Sequence, residues 1–173
     1  MRPLVETIPA AFRSLPELVL GPLAGRPDAH WYRAPVGKWN SAQIVEHLSI
    51  SLESSSKGFE SRRDKPPMQR RARTPFELLA SVVILGVRWF PPGRQSPPGA
   101  RPPEHVERAH AEAHFRDGFD RFLRITPDLL PARGEDLFVK HPVLGDLTLP
   151  EWLRFHIIHC GHHAAQIRSR VAG

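Results

Sequence analysis

Residues 148–170 read TLPEWLRFHIIHCGHHAAQIRSR, and this stretch decides the fold class. Thr148 is suited to cap a helix, Pro150 to occupy its first position, and Glu151 to place negative charge in its first turn. A helix is therefore expected from Pro150 to about Arg170, with Arg168 and Arg170 at the negative end of its dipole. Elsewhere, no stretch sustains the alternation of β-branched and polar residues that marks a strand. The chain reads as all-α.

Upstream, Trp39-Asn40-Ser41 opens another helix, capped by Asn40 or Ser41. Its Ile44, Val45, Leu48, Leu52 and Phe59 recur at helical spacing to about Arg62. Thr74-Pro75 followed by Glu77 marks a third start, with threonine as cap and proline at the first position. The apolar run 78–90 that follows is broken by Ser81, Gly86 and Arg88. It is shorter than the roughly 20 residues of a membrane span, so no span is expected, and packing on a bundle or at a dimer contact is. A further helix is expected from about Pro103 to Arg124, burying Val106, Ala109, Ala113, Phe115, Phe119 and Phe122 and ended by Pro127 and Pro131.

The first helix, from about Val5 to Leu23, is interrupted by Pro9 and Pro16, with a firm part from Leu15. Residues 24–38 read as a loop, and 138–147 as a loop with a short hairpin. The expected architecture is a four-helix bundle with an extra linker helix, forming one domain over residues 1–173. A Pro/Arg-rich insertion occupies about 63–103.

Composition narrows the function. At 173 residues, 40% hydrophobic and 24% charged, the chain is too short for a multi-domain machine and too ordinary for wholesale disorder. A single cysteine, Cys160, excludes an internal disulfide scaffold. The N-terminal stretch has no unbroken apolar core, so a signal peptide is not expected and the cytoplasm is the default location. The net charge of +6 suggests nucleic acid until the charges are placed. Between Lys57 and Arg101 ten basic residues face three acidic ones, leaving the rest of the chain near neutral. The basicity therefore belongs to one solvated segment, or to a lining for an anionic small ligand. No RNA-binding or zinc-finger motif accompanies it, and nucleic acid is the lesser expectation.

Chemistry concentrates on the last helix. At about 100° per residue, His156, His159 and His163 fall within roughly 60° of one another. His159 and His163, at i and i+4, have the spacing at which two imidazoles reach one metal. His156 with His159, at i and i+3, is an open alternative, as is one buried histidine with two at the surface. His47 supplies the second ingredient. Above it at i+4, i+7 and i+11 stand Ser51, Ser54 and Gly58, which either leave room beside its ring or let another helix come close. His47 with two histidines of the last helix makes three ligands and one open position, as in catalytic zinc sites. Glu17, Glu46 and Asp28 are candidate acceptors for the far ring nitrogens. His110 and His114, flanked by charge, read as surface histidines, and Cys160 as a small core residue with no cation to make it a thiolate.

These residues coincide with a known pattern. Trp39-Asn-Ser-Ala-Gln-Ile-Val-Glu-His47-Leu resembles the second-helix start of the DinB/YfiT-like superfamily. His141-Pro-Val-Leu-Gly-Asp-Leu-Thr148-Leu-Pro-Glu-Trp152, with His159-Cys-Gly-His-His163-Ala-Ala-Gln166-Ile, resembles its ending. The resemblance implies a four-helix bundle of atypical topology, a nickel- or zinc-type ion on His47, His159 and His163, and a homodimer. For some members it implies transferases or isomerases that use low-molecular-weight thiols, others having no established role, and on that basis metal-dependent transfer of such a thiol to a small-molecule substrate is expected. Against that stand a hydrolase using water and a non-catalytic, stress-associated metal-binding protein. The insertion is longer and more basic than the family's usual connection.

Overall fold

The computed structural model describes residues 8–91 and 95–172. Residues 5–7 of the expected first helix, and Pro92 and Arg94 of the proline-rich connection, lie outside the described residues. The described chain is mostly helical. In order it forms α1 (Ala10–Arg13), α2 (Leu15–Leu20), α3 (Asp28–Tyr32), α4 (Ser41–Glu60), α5 (Pro75–Ser81), α6 (Arg108–Arg133), β1 (Val139–His141), β2 (Gly145–Leu147) and α7 (Leu149–Ala172). A π-helical turn, Val82–Gly86, extends α5, and a 3₁₀ turn, Pro98–Ala100, interrupts the connection to α6.

One device fixes three of the helix starts. The Asn40 side chain accepts from the Gln43 backbone N–H at 2.9 Å, and the Gln43 side chain accepts from that of Asn40 at 3.1 Å. Thr74 with Glu77, and Thr148 with Glu151, repeat the exchange. Each box satisfies two N–H groups that a helix start leaves unpaired, and each cap contributes about 1 kcal/mol. Glu151 also receives Arg70 at 2.7 Å and Arg73 at 2.9 Å, which ties the basic segment to the start of α7. Before it, β1 and β2 pair antiparallel with Val139 opposite Leu147, the short hairpin expected of 138–147. The buried His141 ring closes their turn by accepting from the Val143 and Leu144 N–H groups at 3.0 and 3.1 Å.

α4 packs on both α6 and α7, and Ile44, Val45, Leu48, Leu52 and Phe59 are buried as its periodicity requires. Phe12 and Leu15 from the N-terminal helices, Phe115 and Phe122 from α6, and Leu153 and Ile167 from α7 complete the interior. Each such side chain contributes about 1.5–3 kcal/mol on leaving water. Gly118 lets α6 come close to α4, for a Cβ there would lie 3.1 Å from Leu52 Cβ and 3.5 Å from the Glu53 nitrogen.

Several expectations need correction. α6 starts at Arg108 rather than Pro103 and continues through Pro127 and Pro131 to Arg133. Ile125, Thr126 and Leu129 are buried while Pro131 is exposed, so packing of the inner face holds a turn that two missing N–H donors would otherwise release. Ala109 and Ala113 are exposed; the buried stripe is Ala111, Phe115, Gly118, Phe119 and Phe122, rotated so that the glycine meets α4. Residues 24–38 include α3, whose Trp31 is buried with the Arg108 guanidinium 5.0 Å from its ring. Beyond α5, Ile84 and Leu85 turn inward while Leu78, Leu79 and Val82 remain more than half exposed. Among the described residues no helix is long and apolar enough to cross a membrane.

Gly118→Val should lower stability by about 1–3 kcal/mol, since the added carbons must push Leu52 aside. Thermal unfolding measures this, and an unchanged melting temperature would show that the two helices have slack at this point.

Candidate metal centre

α4 carries His47 into the interior, and α7 brings His159 and His163 to meet it. One ring nitrogen from each lies within 4.8 Å of the other two, and the Nε2 atoms of His47 and His159 are 3.0 Å apart. The rings stand steeply to one another, at 72–88°, with centroids 4.8–5.0 Å apart. All three are buried, at 4%, 6% and 8% exposure for His47, His159 and His163.

Hydrogen bonds decide which nitrogens face inward. His47 Nδ1 lies 2.6 Å from the Ala100 carbonyl oxygen, which can only accept, so Nδ1 carries the proton and Nε2 keeps its lone pair. His163 Nδ1 donates likewise to Gln166 Oε1 at 2.9 Å. His159 Nδ1 has no partner among the described residues, and its Nε2 faces the bare Nε2 of His47. The set fits a cation. Bonds of about 2.0–2.1 Å in tetrahedral directions separate ligand nitrogens by about 3.3 Å, a value within the observed spread. Outward Nδ1–H groups on acceptors are the arrangement that fixes metal-binding imidazoles.

Electrostatics agrees. Burial holds the His47 ring below its usual pKa, against the Ala100 bond that would raise it. Burial, with His47 next in effect, brings His163 to about 3; burial and then His163 and His47 hold His159 well below the ordinary range. Neutral imidazoles result, and neutral imidazoles are the form that binds metal.

The other candidates sort cleanly. His156 is buried but outside the trio, its Nε2 2.9 Å from Ser55 Oγ among the rings of Phe12, Phe122 and Trp152. Ser55 Oγ–H donates to the Ser51 carbonyl at 2.7 Å, so His156 Nε2–H donates to Ser55. Cys160 is fully buried, and burial pushes its thiol pKa up, away from thiolate chemistry. The stripe above His47 does not line one space: Ser54 is exposed, and Gly58 instead admits Val139, 2.8 Å from where a Cβ would stand. None of Glu17, Glu46 and Asp28 accepts from the trio. Glu46 faces His114, Asp28 pairs with Arg108, and the acceptors are Ala100 and Gln166.

Aromatic rings close the site. Trp39 lies 5.0 Å from His47, Phe155 stacks 4.9 Å from His159, and Phe90 lies 5.6 Å from His159 and 4.9 Å from His162. A groove of about 560 Å³ is lined by Phe90 itself together with Arg88, Trp89, Ile157, Ile158, Gly161 and His162. Arg88 there adopts φ +62°, a left-handed conformation uncommon outside glycine. Four other arginines of the segment have partners: Arg70 and Arg73 on Glu151, Arg71 on Glu77, and Arg101 on Gln95 and the Ser96 carbonyl.

The protein is thus a helical protein with a buried histidine cluster that could hold a metal ion. Residues 28–170 match the family described as "Protein of unknown function (DUF1569)", and the chain belongs to it. No curated protein and no solved structure matches the chain.

Metal-free protein should lose stability in acid. Burial lowers His141 to about 4, and burial together with His141 lowers His156 to about 3, whereas both titrate near 6.5 when unfolded. Below pH 6.5 the unfolded chain takes up protons that the folded chain refuses, so stability should fall steadily from pH 6.5 to about 4 and be flat above 7. Urea unfolding at pH 7.5, 6 and 5 checks this; equal midpoints would show these rings accessible to protons in the folded state.

Proposed function

We propose that the chain is a divalent-metal-dependent protein of the DinB/YfiT type, a four-helix bundle with zinc- or nickel-class chemistry at His47, His159 and His163. The reaction is transfer of a low-molecular-weight thiol to an electrophilic small molecule. The observation that carries the reading is the pair of outward Nδ1–H bonds, to Ala100 and Gln166, which leave Nε2 lone pairs facing one another in a buried space. An ion bound there supplies Lewis acidity that lowers the pKa of a thiol or water reaching its remaining position.

The chain's own residues do the rest. His47 and His163 present unprotonated nitrogens at neutral pH, and the Ala100 carbonyl and Gln166 amide hold their rings in that orientation. Trp39, Phe90 and Phe155 exclude bulk water from the trio. The groove that Phe90 helps to line receives the substrate, with Arg88 at its wall to hold a carboxylate. Arg70, Arg71 and Arg73 are already engaged with carboxylates and take no part. The same reading includes a homodimer, which the exposed Leu78, Leu79 and Val82 side of α5 supports.

The near-complete burial of the three rings favours a second reading, a non-catalytic protein whose ion is structural. Elemental analysis of protein purified without a His tag, followed by assays with several thiols and a generic electrophile, separates them. His47→Ala should lose the ion and the thiol-transfer activity while melting near the metal-free wild type; zinc at about 100 times its Kd should stabilise the wild type by about 2.7 kcal/mol. Absence of any tightly bound ion would remove the basis of both readings, and an ion without activity would leave the structural one.

A further inference from the structure

Where α4 faces α6 a second group of ligands converges. His110 and His114 stand one turn apart on α6 and face Glu46, whose side chain is only 6% exposed. His114 Nδ1 lies 3.1 Å from both Glu46 oxygens, and His110 Nε2 lies 3.5 Å from Oε1. One atom from each of the three residues falls within 4.8 Å of the others. We infer that Glu46, His110 and His114 form a second divalent-cation site, distinct from the trio and selective for zinc-class ions.

Charge supports the assignment. A buried carboxylate needs compensation, and among the described residues no lysine or arginine reaches Glu46; its partners are the two imidazoles. Two histidines at i and i+4 with a carboxylate from a facing helix make a three-ligand zinc set with a position left for water. Nitrogen-to-oxygen separations of 3.1–3.5 Å suit bonds of about 2.0–2.2 Å to a shared ion. The far nitrogen of His114 faces the Glu53 carboxylate, 3.5 Å away, where a metal-bound imidazole finds its outer partner. Mixed imidazole and carboxylate donors favour zinc, cobalt, nickel or copper over calcium and magnesium, which require more oxygens. His110 is mostly exposed, so this ion exchanges with solvent while the trio is enclosed. Adjacent residues of one helix thus serve two sites, Glu46 toward α6 and His47 toward α7.

Zinc titration of chelator-treated protein tests the assignment, with four chains compared: wild type, His110→Ala, His47→Ala and the double variant. Two equivalents should bind to wild type, one to each single variant and none to the double variant. One equivalent that is kept by His47→Ala and lost by His110→Ala would support this site while removing the trio. Stoichiometry unchanged by His110→Ala, in wild type and in His47→Ala alike, would overturn it; the exposure of His110 makes loss of fold an unavailable explanation, and circular dichroism verifies that.

Discussion

Three imidazoles buried against one another between α4 and α7 constrain everything that surrounds them. Charged, any two of them would repel strongly in an interior of low dielectric. Neutral, they turn ring nitrogens toward a common point, and His47 Nε2 stands 3.0 Å from His159 Nε2, close enough for an N–H of one ring to donate to the lone pair of the other. The surrounding chain accommodates this by pinning protons on the outer nitrogens of two rings and packing Phe90 and Phe155 against the third. A helical interior built only for stability would carry leucine at these positions. The arrangement makes physical sense as a set of donors.

The proline-rich connection is part of that arrangement. Ala100 ends a 3₁₀ turn that Pro97 precedes and Pro98 opens, and these prolines restrict the backbone before folding, which lowers the entropy lost in presenting the Ala100 carbonyl to His47. Gln43, the residue that completes the α4 cap, also donates to the carbonyls of Pro103 and Glu104 at 3.2 and 2.9 Å, anchoring the connection just past Ala100. Further back, Arg70 and Arg73 fasten the same segment to Glu151. The excess positive charge that resembles a nucleic-acid surface in the sequence is therefore largely spent on the protein's own carboxylates and carbonyls.

What the sequence made legible follows from what has local signatures. Asn40, Thr74 and Thr148 announce their helices because a cap and its partner lie three residues apart, and the i, i+4 spacing of His159 and His163 places both on one face. His47 was identifiable by residue type. The carbonyl of Ala100 was not, because a backbone acceptor has no residue signature and lies 53 residues from the ring it orients. Proline rules ended α6 too early because the burial of Ile125 and Leu129 is a tertiary fact. α3 escaped notice because five residues give no periodicity. Glu46, His110 and His114 were each visible, but their meeting depends on the register of α4 against α6, a tertiary fact with no local signature.

A crystal grown with one equivalent of zinc, with anomalous differences collected at the zinc edge, addresses the principal claim most directly. The account predicts a peak about 2.1 Å from the Nε2 atoms of His47, His159 and His163 together. A peak confined to other residues, or well-ordered rings of these three turned away from a common point, would contradict it.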